Sequence, residues 1–361
     1  MELSMFQTFK PQKIDRYIKA VPENISPIQI NWGTGNKPAI ISFSDGKTDI
    51  GSCIRCVNPK CIEYSQDELR LTVFQDFPAD QNSNVCPTNA ITWPHESDAP
   101  IINDNECIKC ALCINRCPVK AIYLGTNSAC INDKPNSHFI ESKEISTTRN
   151  TEFTSGLFSG IPETGLYQTE NDNVFDDFFR KFIDVAQDQS AQFPNHLARN
   201  LLIANGVGAA MRRRGDTNIR MDLVLGPPGV KQGTSEVEFG NEVLDAPRNI
   251  LDNIAVLVAR YELSKDMIIP VIVSFSLPNT RSEYFRFIQD VKKVLNVKIN
   301  SITIGGLILL IWNRTKINFV NGDELYIDET TSSLRPKLEA ILGRPINLEN
   351  GGYPGLLDSA K

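Results

Sequence analysis

The 361 residues exceed what one hydrophobic core usually serves, so at least two domains are expected. Hydrophobic residues make up 41% and charged residues 22%, which excludes wholesale disorder and a fibrous chain. The formal charge of -6 divides as 15 basic against 17 acidic residues through position 150 and 22 against 26 thereafter, which excludes a bulk-basic nucleic-acid-binding domain and leaves such binding to local patches.

Residues 1–50 hold one strand candidate, PAIISF (Pro38–Phe43), ahead of the turn-like SDGKTD, and form an N-terminal segment expected to pack on the cysteine-rich module after it. The start, MELSMFQTFKPQK, lacks an apolar stretch behind a basic one, so no leader and no membrane anchor are expected, and the location is expected to be cytoplasmic. Eight of the nine cysteines lie between Cys53 and Cys117 at metal-ligand spacings, which favours metal over disulfides. The second set runs C107-x2-C110-x2-C113-x3-C117-P, and the first runs C53-x2-C56-x4-C61 with C86-P behind it. Two-residue gaps let a backbone bend tightly so that thiolates converge on an iron–sulfur cube, and proline then turns the chain away. A pair of tetrahedral zinc sites is the alternative, but zinc has no need of eight thiolates with two C-P elements in this order.

The stretch 51–125 resembles the bacterial two-cluster ferredoxin family. CPTNAITW (Cys86–Trp93) and CPVKAIYL (Cys117–Leu124) look like its C-P-x-x-A-I element, and APIINDNEC (Ala99–Cys107) looks like its connecting hairpin. The resemblance implies an α+β ferredoxin domain with two 4Fe-4S clusters and exchanged fourth ligands. One cluster takes Cys53, Cys56, Cys61 and Cys117; the other takes Cys86, Cys107, Cys110 and Cys113. In this sequence 24 residues separate Cys61 from Cys86, where the family usually has three.

Residues 126–173, rich in Ser, Thr, Asn and Gly, read as a linker in which Cys130 is a spare thiol. From 174 to 347 helix and strand signals alternate: helices over 174–187 and 195–206 with Gly206 as C-cap, strands in IRMDLVLG (219–226) and SEVEFG (235–240), a helix over 246–263, a strand over 267–276, a helix over 281–295, and strands around SITIGGLILLIW (301–312). Such alternation predicts an α/β domain with a central mixed sheet flanked by helices. The apolar runs from Met267 and Ile302 fall short of the ~20 residues that span a bilayer and read as buried strands. Residues 348–361 read as a polar, glycine-rich tail.

Alternation along SEVEFG puts Glu236 and Glu238 on one face, and antiparallel pairing with MDLVLG brings Asp222 beside them. Three carboxylates there suit a hard cation, Mg2+ or Mn2+. The order of helix, strand with Asp, strand with E-x-E, helix, strand resembles the restriction-endonuclease-like, or PD-(D/E)XK, nuclease superfamily over roughly 175–312. The resemblance implies metal-assisted phosphodiester hydrolysis, with Asp222, Glu236 and the Val237 carbonyl holding the cation and Glu238 orienting or activating water. Methionine stands before Asp222 where proline is usual, and Asn195 and His196 stand where the preceding helix often carries a Glu.

Arg212, Arg213, Arg214 and Arg220 lead into the Asp222 strand and are candidate phosphate contacts. LGPPGVKQGTSE lacks the Walker order of glycine, lysine and hydroxyl, and reads as a hairpin loop. His95, His138 and His196 are isolated. The sequence thus predicts an iron–sulfur, Mg2+-dependent nuclease acting on DNA, or on RNA, in restriction, antiviral defence or repair. A redox or defence-system protein partner and self-association are compatible with it. The competing expectation is a ferredoxin-type electron-transfer protein whose C-terminal domain docks a partner.

Overall fold

The computed structural model describes residues 43–44, 49–50, 59–94, 100–117, 122–124, 129–131, 170–216, 220–226 and 232–359. Cys53, Cys56, His95 and His138, most of the N-terminal segment and most of the linker lie outside them. The chain forms two compact units: Met1–Tyr64 with Asn84–Thr169, and Ser65–Ser83 with Glu170–Lys361.

The first unit is built from very short elements. Three two-stranded antiparallel pairs occur: β1 (Phe43–Ser44) with β2 (Asp49–Ile50), β3 (Ile91–Thr92) with β4 (Ile101–Ile102), and β5 (Ile122–Leu124) with β6 (Ala129–Ile131). β6 therefore takes Cys130 into a hairpin opposite Tyr123, although the sequence around it is linker-like. The helix α1 (Leu112–Arg116) starts at Ala111, whose φ of 68° lies in the left-handed region, as does the φ of 58° at Lys109. Non-glycine residues avoid that region, so the run from Cys107 to Cys113 is bent more sharply than its composition favours.

The second unit has a conventional core. Helices α2 (Asp172–Ala186) and α3 (Phe193–Ala204) precede strands β7 (Gly208–Met211), β8 (Leu223–Gly226) and β9 (Gln232–Glu238). Helix α4 (Ala246–Arg260), strand β10 (Ile268–Ser274), helix α5 (Glu283–Leu295) and strand β11 (Asn300–Thr303) complete the alternation. The five strands make one sheet in the order β11-β10-β9-β8-β7, antiparallel through β7, β8 and β9 and parallel through β9, β10 and β11. This is the mixed sheet expected from the alternating pattern, and each parallel step is bridged by a helix, as such steps require. Every residue of β10 is buried, which explains its unbroken apolar sequence. Gly206, with φ of 87°, ends α3 while Val207 N–H donates back to the Leu202 carbonyl at 2.9 Å, the expected left-handed cap.

The run IGGLILLIW is a correction. It forms a helix, α6 (Ile304–Trp312), not a strand; only Asn300–Thr303 are in the sheet. Thr303 caps it by accepting from Gly306 N–H at 3.0 Å. All nine residues are buried, so the helix shows no polar face and no helical period, and such a run cannot be told from a strand by pattern.

Helix α7 (Arg335–Leu342) comes next, and the segment set apart as a tail packs into this unit. Leu348, Tyr353, Leu356 and Leu357 are buried, and the Asp172 carboxylate accepts from the amides of Glu349, Asn350 and Gly352. Glycine-rich composition hid this: the left-handed glycines 351, 352 and 355 fold the segment so that its few apolar side chains turn inward. Among the described residues, no helix is long and apolar enough to cross a membrane.

Candidate functional site

Cys86, Cys107, Cys110 and Cys113 line one pocket, with Ala90, Ile91, Ile102 and Ile108 supplying apolar walls. Burial, followed by the charges of Cys86 and Cys107, holds the Cys110 thiol far above its ordinary range. Burial, then Cys107, Cys110, Cys86 and Cys61, does the same at Cys113. Thiols in such a place stay neutral unless a bound cation displaces their protons. Four sulfurs around an apolar pocket, on a backbone forced left-handed at Lys109 and Ala111, fit a 4Fe-4S cube. These are the four cysteines that the ferredoxin resemblance assigns to one cluster.

Of the other set, Cys61 and Cys117 are described, and both are buried. Arg116 Nε donates to the Lys60 carbonyl at 2.7 Å, and its guanidinium lies 4.0 Å over the Tyr64 ring. The chain segments bearing Cys61 and Cys117 are therefore side by side.

In the second unit the register pairs Leu223 with Ser235, which continues to Asp222 opposite Glu236. Directly opposite residues share a face, so the register puts the two carboxylates on one side of the sheet. Asp222 Oδ2 accepts from Val237 N–H at 3.1 Å, and Asp222 Oδ1 accepts from Asn195 Nδ2 at 3.1 Å. Glu236 Oε1 accepts from Asn253 Nδ2 at 2.5 Å. Burial, then the Asp222 charge, pushes the Glu236 carboxyl up to about 8, and burial also raises Asp222. Arg212 Nη2 lies 3.7 Å from Asp222 Oδ1 and forms an ion pair with it.

Glu238 lies two residues along the strand and turns back on the chain, its Oε1 accepting from Gly240 N–H at 2.7 Å. Among the described residues, no three His, Cys, Asp or Glu side chains, the pocket cysteines included, are placed to hold a single metal ion, whereas the thiolates of a 4Fe-4S cube each bind a different iron. Backbone register thus sets two half-buried carboxylates on neighbouring strands, with hydrogen bonds from Val237 N–H, Asn195 and Asn253.

Of the four arginines, Arg212 reaches Asp222, Arg213 pairs with Asp216 at 3.7 Å, and Arg214 and Arg220 are exposed. His196 is buried in α3. Asn253 escaped the sequence reading. Its signal is a polar residue within the apolar stripe Ile250, Ile254 and Leu257 of α4, where an unpartnered amide would be costly.

Comparison with known proteins reaches the first of these sites. Residues 100–123 match the 4Fe-4S binding domain family. The match contains Cys107, Cys110, Cys113 and Cys117, so iron–sulfur binding of ferredoxin type is supported. The chain is also 24% identical over 106 residues to the "Aliphatic sulfonate oxidoreductase, polyferredoxin-like subunit" of Pyrococcus furiosus, spanning 29% of this chain and 49% of that protein. The chain therefore spans about half the length of this curated relative. No solved structure matches.

Proposed function

We propose that this iron–sulfur protein joins ferredoxin-type clusters to a cation-dependent site, at Asp222 and Glu236, that hydrolyses phosphodiester bonds in DNA. The observation that supports the hydrolytic part is the register of β8 and β9, which sets two half-buried carboxylates opposite each other with an amide on each. A bound Mg2+ or Mn2+ would polarise the phosphate and lower the proton affinity of a water. The chain's own residues do the holding. Val237 N–H and Asn195 fix Asp222, and Asn253 fixes Glu236. Exposed Arg213, Arg214 and Arg220 supply sequence-independent phosphate contact. Protein purified without air should cleave DNA with Mg2+, and Asp222→Ala should abolish cleavage; intact DNA across substrates and cations rejects hydrolysis.

A second reading is electron transfer to a protein partner, with the C-terminal unit as the docking or binding part. Two observations favour it: the matched family is an iron–sulfur domain, and the relative is named as a polyferredoxin-like subunit of an oxidoreductase. The comparisons support this reading better than hydrolysis. The Arg212–Asp222 pair, which offsets part of the site's charge without a cation, agrees with it. Anaerobic reduction that fails to bleach the cluster absorbance rejects it.

A further inference from the structure

The 24 residues between Cys61 and Cys86, where the ferredoxin pattern usually has three, have a destination. They leave and re-enter the iron–sulfur unit at one place, where Glu63 and Asn84 form an antiparallel bridge and Val85 N–H donates to the Ile62 carbonyl at 2.8 Å. Between those points Ser65–Ser83 belongs to the other unit. There Ala79 bridges Arg212, Asp80 N–H donates to the Met211 carbonyl at 2.7 Å, and Arg213 N–H donates to the Pro78 carbonyl at 2.7 Å. The segment thus extends the exposed edge that β7 would otherwise present.

Two further anchors fix it. Leu71 lies over the paired glycines Gly208 and Gly226, where an added Cβ would sit 3.0 and 3.1 Å from Leu71 Cδ2. Arg199 of α3, 1% exposed, donates from Nη1 to the Asn82 carbonyl at 2.8 Å. Both ends of this docking stand one step from the carboxylates. Arg212 N–H donates to the Asp222 carbonyl at 3.0 Å, and Asn195, one helical turn before Arg199, donates to Asp222 Oδ1.

We propose that Ser65–Ser83 is a tether through which loading of the iron–sulfur centre sets the packing of β7 and α3 around Asp222. Its consequence for catalysis rests on the hydrolytic reading; the tether itself does not. Cys61 and Cys86 flank the segment and, by the ferredoxin assignment, belong to different clusters. While both are held by iron, the ends of the segment are fixed and docking is an intramolecular event at high effective concentration. Release of either end lengthens the free loop and raises the entropy of closing it. Leu69, Phe74 and Phe77 are buried in this docking, and a cavity of about 380 Å³ beside them leaves part of the contact unfilled.

Hydrogen exchange on the full chain tests this, with loaded protein compared to protein stripped anaerobically by a chelator and an oxidant. Stripping should speed the Asp80 and Arg213 amides by about ten-fold or more while the β10 amides keep their rates. Asp80→Pro, which deletes the donor to Met211, should give fast Arg213 exchange in the loaded protein at unchanged iron content. An Arg213 amide indifferent to stripping overturns the proposal. So does β10 accelerating by the same factor, or an Asp80→Pro protein that responds to stripping as the parent does. Because the readout is exchange, an inactive protein with cluster-dependent exchange rejects hydrolysis and keeps the tether, and an active one with cluster-independent exchange does the reverse.

Discussion

The iron–sulfur unit and the sheet unit solve the problem of holding a site in opposite ways. Among its described residues the first has strands of two or three residues and a helix of five, around a pocket lined by four cysteines. Elements that short bury little surface each, so a bound cluster would add to the small apolar set of Val85, Ile91, Ile108, Leu112 and Ile114 around the thiols. The second buries an entire helix, α6, and an entire strand, β10, and its two carboxylates are a small polar addition to packing that stands without them. A site can therefore be built from its cofactor outward, or set into a scaffold that does not depend on it.

Removing the metal should separate the two most sharply. Anaerobic stripping should release about eight iron atoms per chain and abolish the order of residues 59–64, 84–94 and 100–117, while the helical circular dichroism of the sheet unit survives. Loss of both together, or of neither, breaks the comparison. The converse change is Trp312→Ala: Trp312 is fully buried with its ring 4.9 Å from Phe175. Its truncation should cost about 3–5 kcal/mol in denaturant unfolding of the sheet unit and leave iron content unaltered.

Smaller effects sharpen the account of the carboxylates. Asn253→Ala removes the donor to Glu236 and should weaken Mn2+ binding about ten-fold, measured by calorimetry, without moving the cluster absorbance. Without a cation, Glu236 holds in the folded state, up to about pH 8, a proton that the unfolded chain gives up near its ordinary value of 4.5. The folded form then binds more protons, so this group makes stability fall as pH rises from 4.5 towards 8 and adds no further loss above it. Thermal midpoints should show that fall without Mg2+, less of it with Mg2+, and least in Glu236→Gln.

Much of this was legible in the sequence where one residue type at one spacing admits few structures. C107-x2-C110-x2-C113 marked cysteines that line one pocket, and the alternation of SEVEFG with MDLVLG pointed to the antiparallel register that β8 and β9 adopt. Three things were hidden, each for a physical reason. α6 has no polar face to reveal its period; β7, of sequence GAAM, lacks the branched and aromatic residues that mark strands. The destination of Ser65–Ser83 depends on a cross-chain fit, Leu71 on two glycines, that no local pattern encodes.

The most direct test of the carboxylate site is Mn2+ binding followed by electron paramagnetic resonance on cluster-loaded protein, with Asp222→Ala and Glu236→Gln beside the parent chain. The account predicts Mn2+ bound by the parent and lost in both variants at equal iron content. Equal Mn2+ binding by all three proteins would contradict it.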